Sequence, residues 1–300
     1  MRRLLPALAF LIAPACLSNA MPERALLTWD DLLSRPMPVA DRKIAYGTGE
    51  LQFAELFLPK GRTPHPVVLM IHGGCWQSDV ADRTIMNWIA ADLRGRGVAV
   101  WNVEYRGTDR PGGGYPGTYL DVAAAADMLA KDGPMLGLRT DRIVALGHSA
   151  GGHLALWLAD RAALPPSSPL RGANPAPIAA AISQGGLPDL HFSSNTVGHG
   201  CGTEGAIAMA GPPSADRPDI YADTSPIAMT PGNARQISVN ATRDPIAPPD
   251  YATAYARVLA ARGVTVEQVT ITDEGHVELI APGSRSWAQT LTRIEHALEL

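Results

Sequence analysis

The sequence predicts an α/β fold built on a mostly parallel central sheet with helices on both faces. Two observations carry that expectation. Several apolar runs are continuous rather than alternating, as in strands buried on both sides. These runs take turns along the chain with segments of helical periodicity, the order that yields parallel strands joined by crossover helices. The chain has 300 residues, 46% of them hydrophobic and 18% charged. That is enough to bury one large core, so a single domain is expected.

Taken in order, "LQFAELFLP" (51–59) reads as an early strand, and "PVVLMIHGG" (66–74) as a buried strand ending in glycines. "TIMNWIAADLRGRG" (84–97) has helical spacing and stops at glycine. The alternation continues through "VAVWNVEY" (98–105, strand), "YLDVAAAADMLA" (119–130, helix), "RIVALGHS" (142–149, strand) and "AGGHLALWLADRAAL" (150–164, helix). Strands follow at "IAAAISQG" (178–185), "RQISVNAT" (235–242) and "VEQVTITD" (266–273), the last two separated by the helical "YATAYARVLAARG" (251–263). A final helix is expected over 286–300. Proline fixes φ and removes a donor, so "PPSSPLRGANPAP" (165–177), the long segment 187–231 and "DPIAPP" (244–249) read as loops. The segment 187–231 is expected to be an irregular, cap-like insertion over the carboxyl edge of the sheet, where open α/β sheets bind ligands.

The amino terminus, "MRRLLPALAFLIAPACLSNA", has Arg2 and Arg3, an apolar stretch over 4–15, and small residues Ser18 and Ala20 spaced for cleavage. It reads as a signal peptide over 1–20, removed after Ala20 from an exported protein whose domain runs over 21–300. The run is broken by Pro6 and Pro14 and falls short of the roughly 20 apolar residues of a spanning helix, so no stable membrane span is expected. The alternative is a lipoprotein anchored through Cys16. Cleavage after Ala20 leaves Cys75 and Cys201 alone in a compartment that permits disulfides. The net charge of −4 has no basic run within it, which excludes nucleic acid as an expected partner.

Ser149 lies between Gly147 and Gly151, at the corner where a strand turns straight into a helix. Glycine at both flanks relieves crowding there, and the hydroxyl is held clear of the sheet beside a helix N-terminus: a nucleophile elbow. Glycine-serine-glycine alone would be an ordinary turn; its position between strand and helix gives it meaning. A serine needs a base, and the base an acid to orient it, following in the order acid then histidine. Of eight histidines, His276 alone follows the last strand, in "TITDEGHVEL". His148 and His153 lie on the elbow and point elsewhere by periodicity; His65 and His72 precede the serine; His191 and His199 fall in the insertion; His296 sits in the terminal helix. Asp244 follows the preceding strand and is the expected acid, whereas Asp250 suits the cap of the next helix, and Asp273 and Glu274 are too close to His276 in sequence. "HGGCW" (72–76) supplies a glycine-rich loop whose Gly74 and Cys75 N–H groups, with that of Ala150, are the expected oxyanion donors.

With these residues in place the chain resembles the α/β-hydrolases of the esterase and lipase superfamily. "HGGCW" and "GHSAGG" are especially similar to the branch containing bacterial carboxylesterases and arylformamidases. The likeness runs from about Leu51 to the end and includes "VEYRG", "GLPDL" and "TSPIAM". Two positions depart from it, Cys75 before Trp76 and Pro245 after Asp244.

Weaker signals are set aside. "GGGYPG" (112–117) has dinucleotide-fingerprint spacing, but it does not follow a strand directly and Pro116 deletes a donor; a mobile loop bordering the site is expected instead. "HGCGTE" (199–204) lacks a second ligand cluster, and no metal is expected. Trp76, Trp88 and Trp101 are expected to fill the core. The sequence thus predicts a serine hydrolase that cleaves small carboxylic esters through an acyl-enzyme without a cofactor. The alternatives are an arylformamidase-type amide hydrolase and a silent hydrolase-fold binding protein. Cys75 and Cys201 either bridge the insertion to the oxyanion loop or remain separate thiols; sequence gives no distances, and both outcomes stay open. It does not give the oligomeric state.

Overall fold

The computed structural model describes residues 24–196 and 200–300. The expected signal peptide, its Cys16, and His199 lie outside the described residues.

The strands are β1 (Arg42–Ala45), β2 (Phe53–Phe57), β3 (His65–Ile71), β4 (Ala99–Val103), β5 (Leu138–His148), β6 (Ile178–Gln184), β7 (Arg235–Ala241) and β8 (Val266–Ile271). The helices are α1 (Trp29–Leu33), α2 (Asn87–Gly95), α3 (Gly117–Asp132), α4 (Ala150–Asp160), α5 (Leu190–Asn195), α6 (Glu204–Ala210), α7 (Pro249–Ala260) and α8 (Arg285–Leu298). The strands form one sheet in the order β1-β2-β4-β3-β5-β6-β7-β8. The β1–β2 and β2–β4 pairs are antiparallel and every later pair is parallel.

Strand β3 shows why its apolar run is continuous. Val67, Leu69 and Ile71 pack on one face with Leu129 of α3 and Leu154 of α4. Val68 and Met70, pointing the other way, pack with Ile89 and Leu93 of α2 and Ile294 of α8. Successive side chains alternate between two covered faces, so every position is apolar. All five strand residues are fully buried, each contributing about 1.5–3 kcal/mol of transfer free energy.

The structure adds elements where the sequence predicted none. Strand β1 is short and mostly exposed, and its registry, Ile44 against Ala54, is set by the neighbouring strand rather than by any apolar pattern of its own. The insertion is less irregular than expected, since it contains α5 and α6. The first has six residues, of which all but Leu190 are weak helix formers, and the Asp189 side chain caps it by accepting from the Phe192 N–H. "GGGYPG" is tied down rather than loose. A Cβ on Gly113 would fall 1.8 Å from the Gly107 carbonyl oxygen, the Tyr115 N–H donates to Ala208 O at 2.9 Å, and the Arg217 guanidinium sits 3.7 Å above the Tyr115 ring. No helix among the described residues is long and apolar enough to cross a membrane.

Candidate active site

Parallel strands place the selected residues at one edge. Gly74 and Cys75 follow β3, Ser149 follows β5, Asp244 follows β7, and His276 follows β8. Ala150 opens α4.

At the elbow, Ser149 has φ 54° and ψ −122°, a conformation costly for a residue with a Cβ and found where surrounding structure enforces it. Close packing does the enforcing. A Cβ on Gly147 would lie 1.9 Å from Gly151 O, and one on Gly151 would lie 2.2 Å from Ile71 O, so neither position accepts any other residue. The Ser149 N–H is anchored to Gln184 O at 2.8 Å.

His276 Nδ1 and Asp244 Oδ2 are 2.6 Å apart, and both residues are buried. Asp244 Oδ1 accepts the N–H groups of Ile246 (2.8 Å) and Ala247 (2.9 Å). Pro245 has no N–H to offer, and the turn it starts delivers the next two. Burial opposes the charge on Asp244, but the His276 hydrogen bond and charge, with these two N–H groups, outweigh it and hold the carboxyl below the ordinary value. With the carboxylate on Nδ1, the imidazole turns its Nε2 lone pair outward, and no hydrogen bond among the described residues uses Nε2. Glu274 is occupied elsewhere, accepting from the Ser286 hydroxyl at 2.6 Å. Asp250 lies in the first turn of α7, not at its cap: the cap residue is Pro248, which has no side-chain bond.

The loop after β3 has positive φ at three successive residues: Gly74 (φ 107°) adopts it freely, whereas Cys75 (φ 52°) and Trp76 (φ 59°) are strained. Cys75 is joined to Cys201 by a disulfide, so the bridged outcome is the one the structure contains. Trp76 is fully buried, as are Trp101 and nearly all of Trp88. Its Nε1 donates to His153 Nδ1 at 3.2 Å, which obliges His153 Nε2 to donate to Thr224 O at 2.8 Å. Burial pushes His153 down to about 4, and as a neutral ring it links the loop to the insertion. No backbone hydrogen bond among the described residues takes the N–H of Gly74, Cys75 or Ala150.

His72 and Glu104 escaped the sequence reading. His72 Nδ1 donates to Gly73 O at 2.7 Å and Nε2 lies 3.0 Å from Glu104 Oε1, while the ring stacks on Tyr105 with centroids 4.2 Å apart. In a trans peptide the C=O and the N–H point oppositely. Drawing Gly73 O toward His72 therefore turns the Gly74 N–H the other way. His148 was expected to point elsewhere and instead packs on His276, ring centroids 4.4 Å apart, because its backbone ends β5 beside the loop that carries His276. Only the adjacency of His72 to "GG" and of His148 to the serine was visible in sequence.

The chain is similar in structure to a bacterial heroin esterase, with 26% identity over 82% of this chain and 79% of that one and a TM-score of 0.65. It is similar also to esterase B from Lactobacillus rhamnosis (17% identity, 90% of each chain, TM-score 0.71). A third likeness is to the thermophilic esterase Est2 from Thermogutta terrifontis (20% identity, 87% of this chain and 92% of that one, TM-score 0.67). No curated protein matches its sequence. The protein is an enzyme of the α/β-hydrolase fold. It belongs to the BD-FAE family, whose model matches residues 54–259. That stretch contains Ser149 and Asp244 and ends before His276.

Proposed function

We propose that the protein is an exported carboxylesterase in which Ser149, His276 and Asp244 form a catalytic triad. The observation that carries this reading is the 2.6 Å bond from His276 to Asp244, made at the sheet edge where the elbow holds Ser149. Ser149 Oγ attacks the ester carbonyl carbon and its proton passes to His276 Nε2. The carbonyl oxygen, now an oxyanion, accepts the N–H groups of Gly74, Cys75 and Ala150. Collapse breaks the carbon–oxygen bond to the alcohol, which leaves with the proton from His276. Water then attacks the acyl-enzyme and gives a proton to His276; collapse breaks the bond between the acyl carbon and Ser149 Oγ, which takes that proton from His276 as the acid is released. No step calls for a cofactor. The Cys75–Cys201 disulfide supports export, since such bonds persist in oxidising compartments, and the signal peptide over 1–20 is part of the same proposal. A panel of aryl esters of increasing acyl length, run beside an aryl formamide, tests the substrate class. Hydrolysis of the short esters is expected, and cleavage of the formamide alone would overturn the ester reading.

A further inference from the structure

Beyond the triad, and resting on it, one more residue has the geometry of a working part. His148 is 1% exposed and its ring lies 4.4 Å from that of His276 at 45°. Its Nε2 is 3.1 Å from the backbone carbonyl oxygen of His276. A carbonyl only accepts, so Nε2 carries the proton and the tautomer is fixed. The other nitrogen, Nδ1, is buried without a hydrogen-bond partner among the described residues, lying where a Cβ on Gly73 would meet it at 3.0 Å. From outside, the Trp29 ring closes on His148 edge-on, with centroids 6.1 Å apart. A buried nitrogen left without a partner is unfavourable, and an apolar side chain at this position would avoid it. What histidine supplies and an apolar residue lacks is a donor to the His276 carbonyl.

We propose that His148 is the positioning residue of the catalytic histidine: its Nε2–H holds the His276 carbonyl, and with it the backbone from which the imidazole is aimed at Ser149. The loop over 272–277 contains no regular element, so a bond at His276 itself fixes its peptide where helix or sheet does not. Burial, and then the charge His276 can carry, push His148 well below its ordinary value, so the ring beside the working imidazole stays neutral. A catalytic group must be held within about 0.5 Å of its productive position, and a misplacement of about 1 Å costs up to roughly 10²-fold in rate.

The test compares His148→Gln, whose amide keeps a donor at similar reach, with His148→Met, of equal length and no donor. Both are assayed for kcat and KM on an aryl ester, with active enzyme counted by fluorophosphonate titration so that unfolded protein does not enter. The Met variant is expected to lose about tenfold or more in kcat with KM within about twofold, and the Gln variant to recover most of the loss. Equal kcat in the two variants overturns the proposal. So does a Met variant that fails to fold while the Gln variant folds, since the donor would then serve stability. His276→Ala, run alongside, separates this inference from the triad: an active His276→Ala enzyme sinks the triad, whereas an inactive one with equal Gln and Met variants sinks only the role of His148.

Discussion

Two buried histidine–carboxylate pairs lie on the same edge of the sheet. His72 meets Glu104 at 3.0 Å and His276 meets Asp244 at 2.6 Å, and all four side chains are nearly inaccessible. They differ at the second nitrogen. His72 commits it to Gly73 O, in the loop that carries Gly74 and Cys75. His276 leaves Nε2 without a partner among the described residues. A carboxylate beside a histidine does not by itself make a base; the fate of the other nitrogen decides.

Four substitutions push that comparison hardest. Ser149→Ala and His276→Ala are expected to lower kcat by about 10⁶-fold at nearly unchanged melting temperature, read from ester hydrolysis and thermal unfolding. Asp244→Asn should keep the shape but favour the wrong tautomer, with a loss of up to about 10⁴-fold in kcat and little change in unfolding. Its counterpart Glu104→Gln should do the reverse. Weakening a buried pair is destabilising by up to about 3–5 kcal/mol, while activity falls by no more than the 10²–10³-fold of a single misaimed oxyanion donor. Equal profiles for the two amide variants would erase the distinction between the pairs.

A smaller effect is expected at the bond that ties this edge to the insertion. Cys75 and Cys201 are 126 residues apart, so reduction removes a chain-entropy contribution with a ceiling of about 5 kcal/mol. The melting temperature should drop, and activity with it as the loop relaxes. Thiol titration of the unfolded, unreduced mature protein should find none; two would contradict the bridge.

The smallest effect lies away from the site. Asp160, fully buried at the end of α4, is raised to about 7 by burial, against the opposing bonds from Gly232 N–H and the Gln236 amide. The folded chain then binds a proton that the unfolded chain releases near 3.8. From Asp160, stability falls as pH rises between those values. Glu104, Asp244 and Glu274 are held below their ordinary values, and their stabilisation is lost only as pH falls through the folded values. Asp160→Asn imitates the protonated acid. It should melt higher than the natural protein at pH 7.5 and equal to it at pH 4, and the same offset at both would refute the assignment.

Much of this was legible because it is local. Continuous apolar runs marked β3 to β6, glycines marked the elbow, and the order of Asp244 and His276 after successive strands marked the pair. The parts that stayed hidden depend on contacts across the fold. β1 exists by pairing with β2, α5 by the Asp189 cap, and Glu104 meets His72 from 32 residues away. His148 reaches His276 across 128 residues; helical periodicity assigned it a direction, whereas it ends a strand, where that period does not apply. Asp250 looked like a cap because an acid near a helix start often is one, yet Pro248 already begins the turn.

The most direct test of the central claim is to react the protein with an aryl fluorophosphonate and locate the adduct by peptide mass spectrometry. One phosphonyl group on Ser149 is predicted, formed in step with loss of esterase activity and greatly slowed by His276→Ala and Asp244→Asn. Adduct on another residue, or full ester turnover by Ser149→Ala, would contradict the account.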